Sequence, residues 1–169
     1  MELSAYKNIF SFDIRWTWKT ISLLAFLAVL PNVFGLFNYT TQWGFKIHFF
    51  QYLMFLAAII YGPIGGVISG AFGSVYTAIG LHNPYIIVGN MILGFFFGFF
   101  VKYRFNVILA ALCAYLIQLP WLWVSDIYWV HMPLKAVQGA VIALFVSDIL
   151  MAGLAGLSAK RIKGLVVST

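Results

Sequence analysis

Charge is what this chain has least of. Charged residues make up 8% of its 169 positions, whereas residues of the set AVILMFWYC make up 63%. A soluble domain of this size keeps more charge, because its surface must face water. The deficit excludes a basic soluble face of the kind that binds nucleic acid, although the formal net charge is +6. Cysteine is nearly absent as well. The single Cys113 cannot form an intrachain disulfide, and it sits in an apolar run where it reads as a small packing residue. Acids number only four: Glu2, Asp13, Asp126 and Asp148. The first two precede the first apolar run and the other two belong to different segments, so a paired-carboxylate site is not expected. The G-x-x-x-x-G-K-[ST] pattern is missing, so this chain is not expected to hydrolyse ATP. His48, His82 and His131 lie on three separate elements without H-x-x-x-H spacing. No catalytic residue, metal site or cofactor is assigned.

What the chain has instead is long apolar runs. A helix needs about 20 apolar residues to cross roughly 30 Å of hydrocarbon, and about 17 suffice if it is short. Six candidate spans follow, at about 19–37, 47–61, 63–80, 85–101, 105–124 and 134–158. The runs are continuous rather than alternating, which favours helices over a barrel. The expected fold class is therefore an all-α membrane protein, residues 1–169 forming one compact bundle of six transmembrane helices. The second and third runs are separated only by Tyr61-Gly62-Pro63. Proline disfavours helix in the residue before it and glycine relaxes the backbone, so a tight helical hairpin is expected there. The first run follows a charged stretch and shows no A-x-A-like cleavage site, so it reads as a span rather than a signal peptide.

Orientation follows from Lys and Arg. Lys7, Arg15, Lys19, Lys102, Arg104, Lys160, Arg161 and Lys163 fall on one side of a six-span chain, against Lys46 and Lys135 on the other. Both termini are expected to be cytoplasmic.

Polar side chains in hydrocarbon are costly and normally face protein or a cavity. Asn32, His48, Gln51, Asn90, Gln118, Lys135 and Gln138 all fall towards the outer ends of their spans, whereas Asp148 lies near the inner end of span six. Individually such residues can be interfacial, and Lys135 can snorkel. Collectively they favour a polar pocket that opens outward. The outer loops agree. One carries Tyr39, Thr40, Thr41, Gln42 and Trp43, another His82-Asn83-Pro84-Tyr85, and a long one from Pro120 to Pro133 holds Trp121, Trp123, Asp126, Trp129 and His131. Aromatics at a membrane surface are usually belt residues, but long aromatic loops over a polar cavity also suit a lid. Gly66-x-x-x-Gly70, Gly70-x-x-x-Ser74 and Gly94-x-x-x-Gly98 are small-x-x-x-small faces that permit close helix approach.

The stretch from Ile47 to Phe100, with its Tyr61-Gly62-Pro63 turn, glycine-rich third run, short outer loop and Gly94-x-x-x-Gly98 face, resembles the substrate-binding S-components of energy-coupling factor (ECF) vitamin transporters. The six-span layout extends the resemblance over the whole chain. It implies a high-affinity binding subunit in a prokaryotic plasma membrane, with a small water-soluble vitamin or related micronutrient that carries a flat ring as its substrate. It also implies partners: a membrane coupling protein and two cytoplasmic ATPases. Ligand contacts are then expected from Trp43, Asn90, Gln118, Trp129, His131, Lys135 and Gln138, with Asn32, Gln51 and His82 behind them. Trp43 and Trp129 would stack on the ring, and Lys135 would meet a carboxylate or phosphate. Members often dock through Ala-x-x-x-Ala in span one. This chain departs from that pattern, and the Ser22/Ala25/Ala28 stripe is the candidate substitute. Two other functions compete: a self-sufficient carrier or channel that oligomerises through the glycine faces, and a lipid-modifying enzyme, for which no catalytic set is evident.

Overall fold

The computed structural model describes residues 17–34, 39–40 and 46–167, the side chains of 39–40, 46–47, 160 and 163–167 excepted. The described chain is helical apart from one minimal hairpin. In order it runs α1 (Trp18–Phe34), β1 (Tyr39–Thr40), β2 (Lys46–Ile47), α2 (Phe50–Gly73), α3 (Val75–Gly80), α4 (Tyr85–Lys102), α5 (Val107–Val124), a π-helical turn (Ser125–Trp129) and α6 (Leu134–Val167). β1 and β2 pair antiparallel, Tyr39 opposite Ile47 and Thr40 opposite Lys46.

Four stretches are long and apolar enough to cross a membrane: Phe50–Gly80, Tyr85–Lys102, Val107–Trp129 and Leu134–Ala159, with the shorter apolar Trp18–Phe34 beside them. Their outer faces carry large apolar side chains. Ile21, Phe26, Val29 and Val33 on α1 are exposed, as are Ile142, Phe145, Leu150, Leu154 and Leu157 on α6. Water-facing surfaces seldom tolerate such continuous apolar area, whereas a bilayer requires it.

Phe50–Gly80 is not one straight rod. Gly62 breaks α2 with φ 71° and ψ −162°, a conformation essentially confined to glycine. A Cβ built on Gly65 would lie 2.7 Å from the carbonyl oxygen of Ala57, and one on Gly66 would lie 3.0 Å from the Ala58 Cβ. Residues eight apart in a straight helix are separated by about 12 Å. The chain therefore doubles back at Gly62, where proline deprives the following turn of a donor and glycine supplies the unusual φ. The boundary expected at residue 47 moves, because Lys46–Ile47 is strand and helix begins only at Phe50. Residues 50–61 rise only about 18 Å, too short to cross the hydrocarbon alone. The strand leading into them explains the shortening. The His48 amide donates to Ser147 Oγ at 3.2 Å, so this half-helix starts beside the middle of α6 rather than at its end.

Glycine allows the second half of α2 to lie directly on α4. A Cβ on Gly66 would collide with the Gly94 carbonyl and one on Gly94 with the Gly66 carbonyl. A Cβ on Gly98 would meet Gly62 and Pro63 at 2.8 Å, and Gly70 abuts the Asn90 carbonyl. The small-residue faces are thus spent on packing inside the chain. On the other flank of α2, the Tyr61 hydroxyl donates to the Thr20 carbonyl at 2.7 Å and Ser69 Oγ to the Leu27 carbonyl at 2.6 Å. Phe55 and Phe97 meet at 4.3 Å in the buried core.

These contacts give the bundle two distinct ends. Thr20, Tyr61 and Gly98 meet at one end, and α5 starts there against Gly156 of α6. The described cations Lys19, Lys102, Arg104 and Arg161 cluster around that end, and Lys135 lies at the other.

Candidate functional site

At the end away from those cations, α3, α4, α5 and α6 enclose a cavity of about 110 Å³. Its floor and sides are largely apolar, from Phe50, Leu81, Ile86, Leu122, Met132, Ala140 and Leu144. The polar groups are few: His48, Thr77, Asn83, Asn90, Gln118, Ser125 and Asp126. An apolar enclosure with a small number of converging polar groups is the usual anatomy of a small-molecule site.

Asn90 reaches the cavity from α4, one turn after Tyr85–Ile86, and Gln118 from α5. Both are buried. Gln118 Oε1 has no hydrogen-bond partner, and a buried acceptor left unsatisfied costs free energy. Gly89 lets α5 come close enough for this arrangement, since a Cβ there would lie 3.3 Å from Trp121 and 3.4 Å from Gln118 Nε2.

The rim is a fixed polar corner. Asn83 Nδ2 donates to Asp126 Oδ1 at 2.7 Å, and Asn83 Oδ1 accepts the Tyr85 amide at 3.1 Å. Asp126 sits in the π-helical turn, whose extra residue per turn aims it inward, and its carbonyl accepts the Met132 amide at 2.8 Å. One side chain thereby ties the α3–α4 corner to the end of α5. Beside it stands an aromatic cluster. Trp121 Nε1 donates to the Tyr85 carbonyl at 3.1 Å, and Trp129 packs on Tyr85 at 4.8 Å and on Trp121 at 5.3 Å.

The expected site residues separate into groups. Asn90 and Gln118 line the cavity. Trp129 braces the two lining aromatics from outside, so Tyr85 and Trp121 are the aromatic side chains that line the cavity in its place. His131, Lys135, Gln138 and His82 are exposed and do not line the cavity. His82 and His131 instead occupy turn positions with positive φ, 51° and 57°. Asn32 clamps the α2–α3 corner: its Nδ2 donates to the Phe72 carbonyl at 2.7 Å, and its Oδ1 accepts the Tyr76 amide at 2.8 Å. Gln51 is fully buried, with neither side-chain polar atom bonded, but does not line the cavity. Trp43 lies outside the described residues. In the Ser22/Ala25/Ala28 stripe, Ser22 and Ala25 face outward while Ala28 is buried against the core.

Sequence reasoning left His48, Asn83 and Asp126 off its site set. From sequence His48 reads as a helix-end residue, and the strand that precedes it, Lys46–Ile47, has no period to betray it. Asn83-Pro84 was a turn signal, and such asparagines usually bond their own backbone. Here the same side chain also reaches Asp126. A second hollow, about 640 Å³, lies between Phe34, Phe49, Tyr52 and the 151–162 segment of α6. It is larger but more open and faces outward, so it gives a ligand less enclosure. Among the described residues no group of three His, Cys, Asp or Glu side chains is placed to hold a metal ion. No protein-family model, curated protein or solved structure matches the chain.

Proposed function

We propose that this chain is a membrane-embedded binding subunit for uptake of a small water-soluble vitamin or related micronutrient, energised by a separate ATPase coupling module. The observation that carries it is the cavity at the end away from the basic cluster, with Gln118 Oε1 buried in its wall and unbonded. A cytoplasmic location of the basic end follows the positive-inside tendency, and it makes the cavity end face outward. On this reading the chain has six membrane segments with both termini in the cytoplasm, in the plasma membrane of a prokaryote. The half-helix 50–61 is the shortest of the six.

The resemblance to ECF S-components supplies the partners: a membrane coupling protein and two cytoplasmic ATPases. The outward face of α1, with Ser22, Ala25, Phe26 and Val29 exposed, is the candidate docking surface. Ala28 no longer belongs to it. A self-sufficient oligomeric carrier is the competing function, and the glycine faces it would use are occupied by Gly66–Gly94 packing within the chain.

Reconstitution separates the two. Purified protein in liposomes should bind a small solute without moving it across the bilayer, and should pull down membrane and ATPase subunits from its native membranes. Solute accumulation by this chain alone would establish the carrier instead.

A further inference from the structure

The cavity also constrains what it can hold, and this argument rests on the binding-subunit reading above. Its volume, about 110 Å³, is below the roughly 150 Å³ of an apolar cavity known to admit one benzene ring. It is well below the roughly 300–1,000 Å³ of sites for drug-sized ligands. A single ring is the largest group this volume can take in, with any substituent reaching the cavity's open side, and fused rings exceed it.

Charge narrows the class further. Among the described residues no Lys or Arg lines the cavity, and Lys135 is exposed away from it. The one acid at the rim, Asp126, already accepts from Asn83. An anion entering here would lose its hydration, find no Lys or Arg and only the His48 imidazole as a group able to carry positive charge, and face Asp126. Gln118 Oε1 is a buried acceptor with no partner, so it is complementary to a ligand N–H or O–H. Tyr85 and Trp121 offer aromatic surface on the same cavity, suited to a flat ring in an offset or edge-on arrangement.

We infer that the ligand is an uncharged single-ring compound carrying an N–H or O–H donor, which Gln118 Oε1 accepts. This reverses the expectation that Lys135 meets a carboxylate or phosphate. Nicotinamide and nicotinate form a suitable probe pair, because they share ring and size and differ in charge at neutral pH. A pterin adds the fused-ring arm. Titration calorimetry on the purified full chain should show nicotinamide binding at least about tenfold more tightly than nicotinate, with no saturable heat from the pterin. Gln118→Leu should weaken nicotinamide by at least about tenfold. Asn90→Leu is the second variant if the first fails to fold.

Nicotinate or the pterin binding as tightly as nicotinamide overturns the inference. So does nicotinamide binding that both variants leave unchanged, or silence from all three probes. The binding-subunit reading is judged separately: an anionic or larger compound that the site variants displace would overturn the ligand class and leave the subunit's role standing.

Discussion

Asn83 and Asp126 are joined by a 2.7 Å hydrogen bond although they lie on opposite sides of α4 and α5 in the chain. Both are buried. The bond closes the rim of the cavity and holds the π-helical turn in register with the α3–α4 corner.

Removing one partner should therefore cost more than an ordinary surface change. Asn83→Ala takes one of two side-chain donors from the buried Asp126 carboxyl and leaves the one from Ser125, and hydrogen bonds to charged groups are worth about 1.5–3 kcal/mol. Thermal unfolding in mild detergent should show a loss of that order. The variant should also lose ligand, because the rim that positions Tyr85 is released.

Gly62 is the second test. Its φ of 71° with ψ −162° is a conformation that L side chains rarely adopt, and nothing within 4 Å would hinder a methyl group. The cost of Gly62→Ala is thus pure backbone strain, about 1–3 kcal/mol. Gly139→Ala has equal space and no positive φ, and serves as the matched control. Equal melting temperatures for the two variants would show that the chain does not turn back as described.

Gly66→Leu and Gly94→Leu should each be severe, since a Cβ at either position falls on the partner's carbonyl. Overpacking typically costs about 1–3 kcal/mol and more where backbone must move. The expected outcome is loss of folded monomer in size-exclusion chromatography. Retained folding with a changed oligomeric state would instead place these glycines at an interface between copies.

How much of this was open to view in the sequence depends on the physical signal each feature leaves. The helical class and the long apolar helices were legible because lipid demands long apolar runs. The turn at Gly62 was legible because glycine followed by proline has a local backbone meaning. The glycine faces were legible as close-approach surfaces. The inward strand at Lys46–Ile47 was not, since two residues have no periodicity. The separation of Asn90 and Gln118 from Lys135 and Gln138 was not legible either. Depth along a helix can be counted from sequence, but which face turns inward depends on the neighbours. Lys135 and Gln138 are exposed and do not line the cavity.

Asp148 offers a test independent of the ligand. It is buried, and neither carboxyl oxygen has a hydrogen-bond partner. Tyr115 is close enough to interact with it electrostatically, yet its hydroxyl donates to the Val141 carbonyl. A buried polar group without partners is a net cost, so Asp148→Leu should raise the melting temperature or leave it unchanged. A marked loss of stability would reveal a partner that compensates the carboxyl in the folded membrane protein.

The central claim is that the cavity bounded by Asn90, Gln118, Tyr85 and Trp121 holds a small solute. Native mass spectrometry of protein released gently from its own membranes tests it most directly. The account predicts one small-molecule adduct per chain in the wild type and its loss in Gln118→Leu and Asn90→Leu, with Gly139→Ala retaining it. An adduct that persists in both site variants, or wild-type protein that carries none and takes up none from a panel of water-soluble micronutrients, would contradict it.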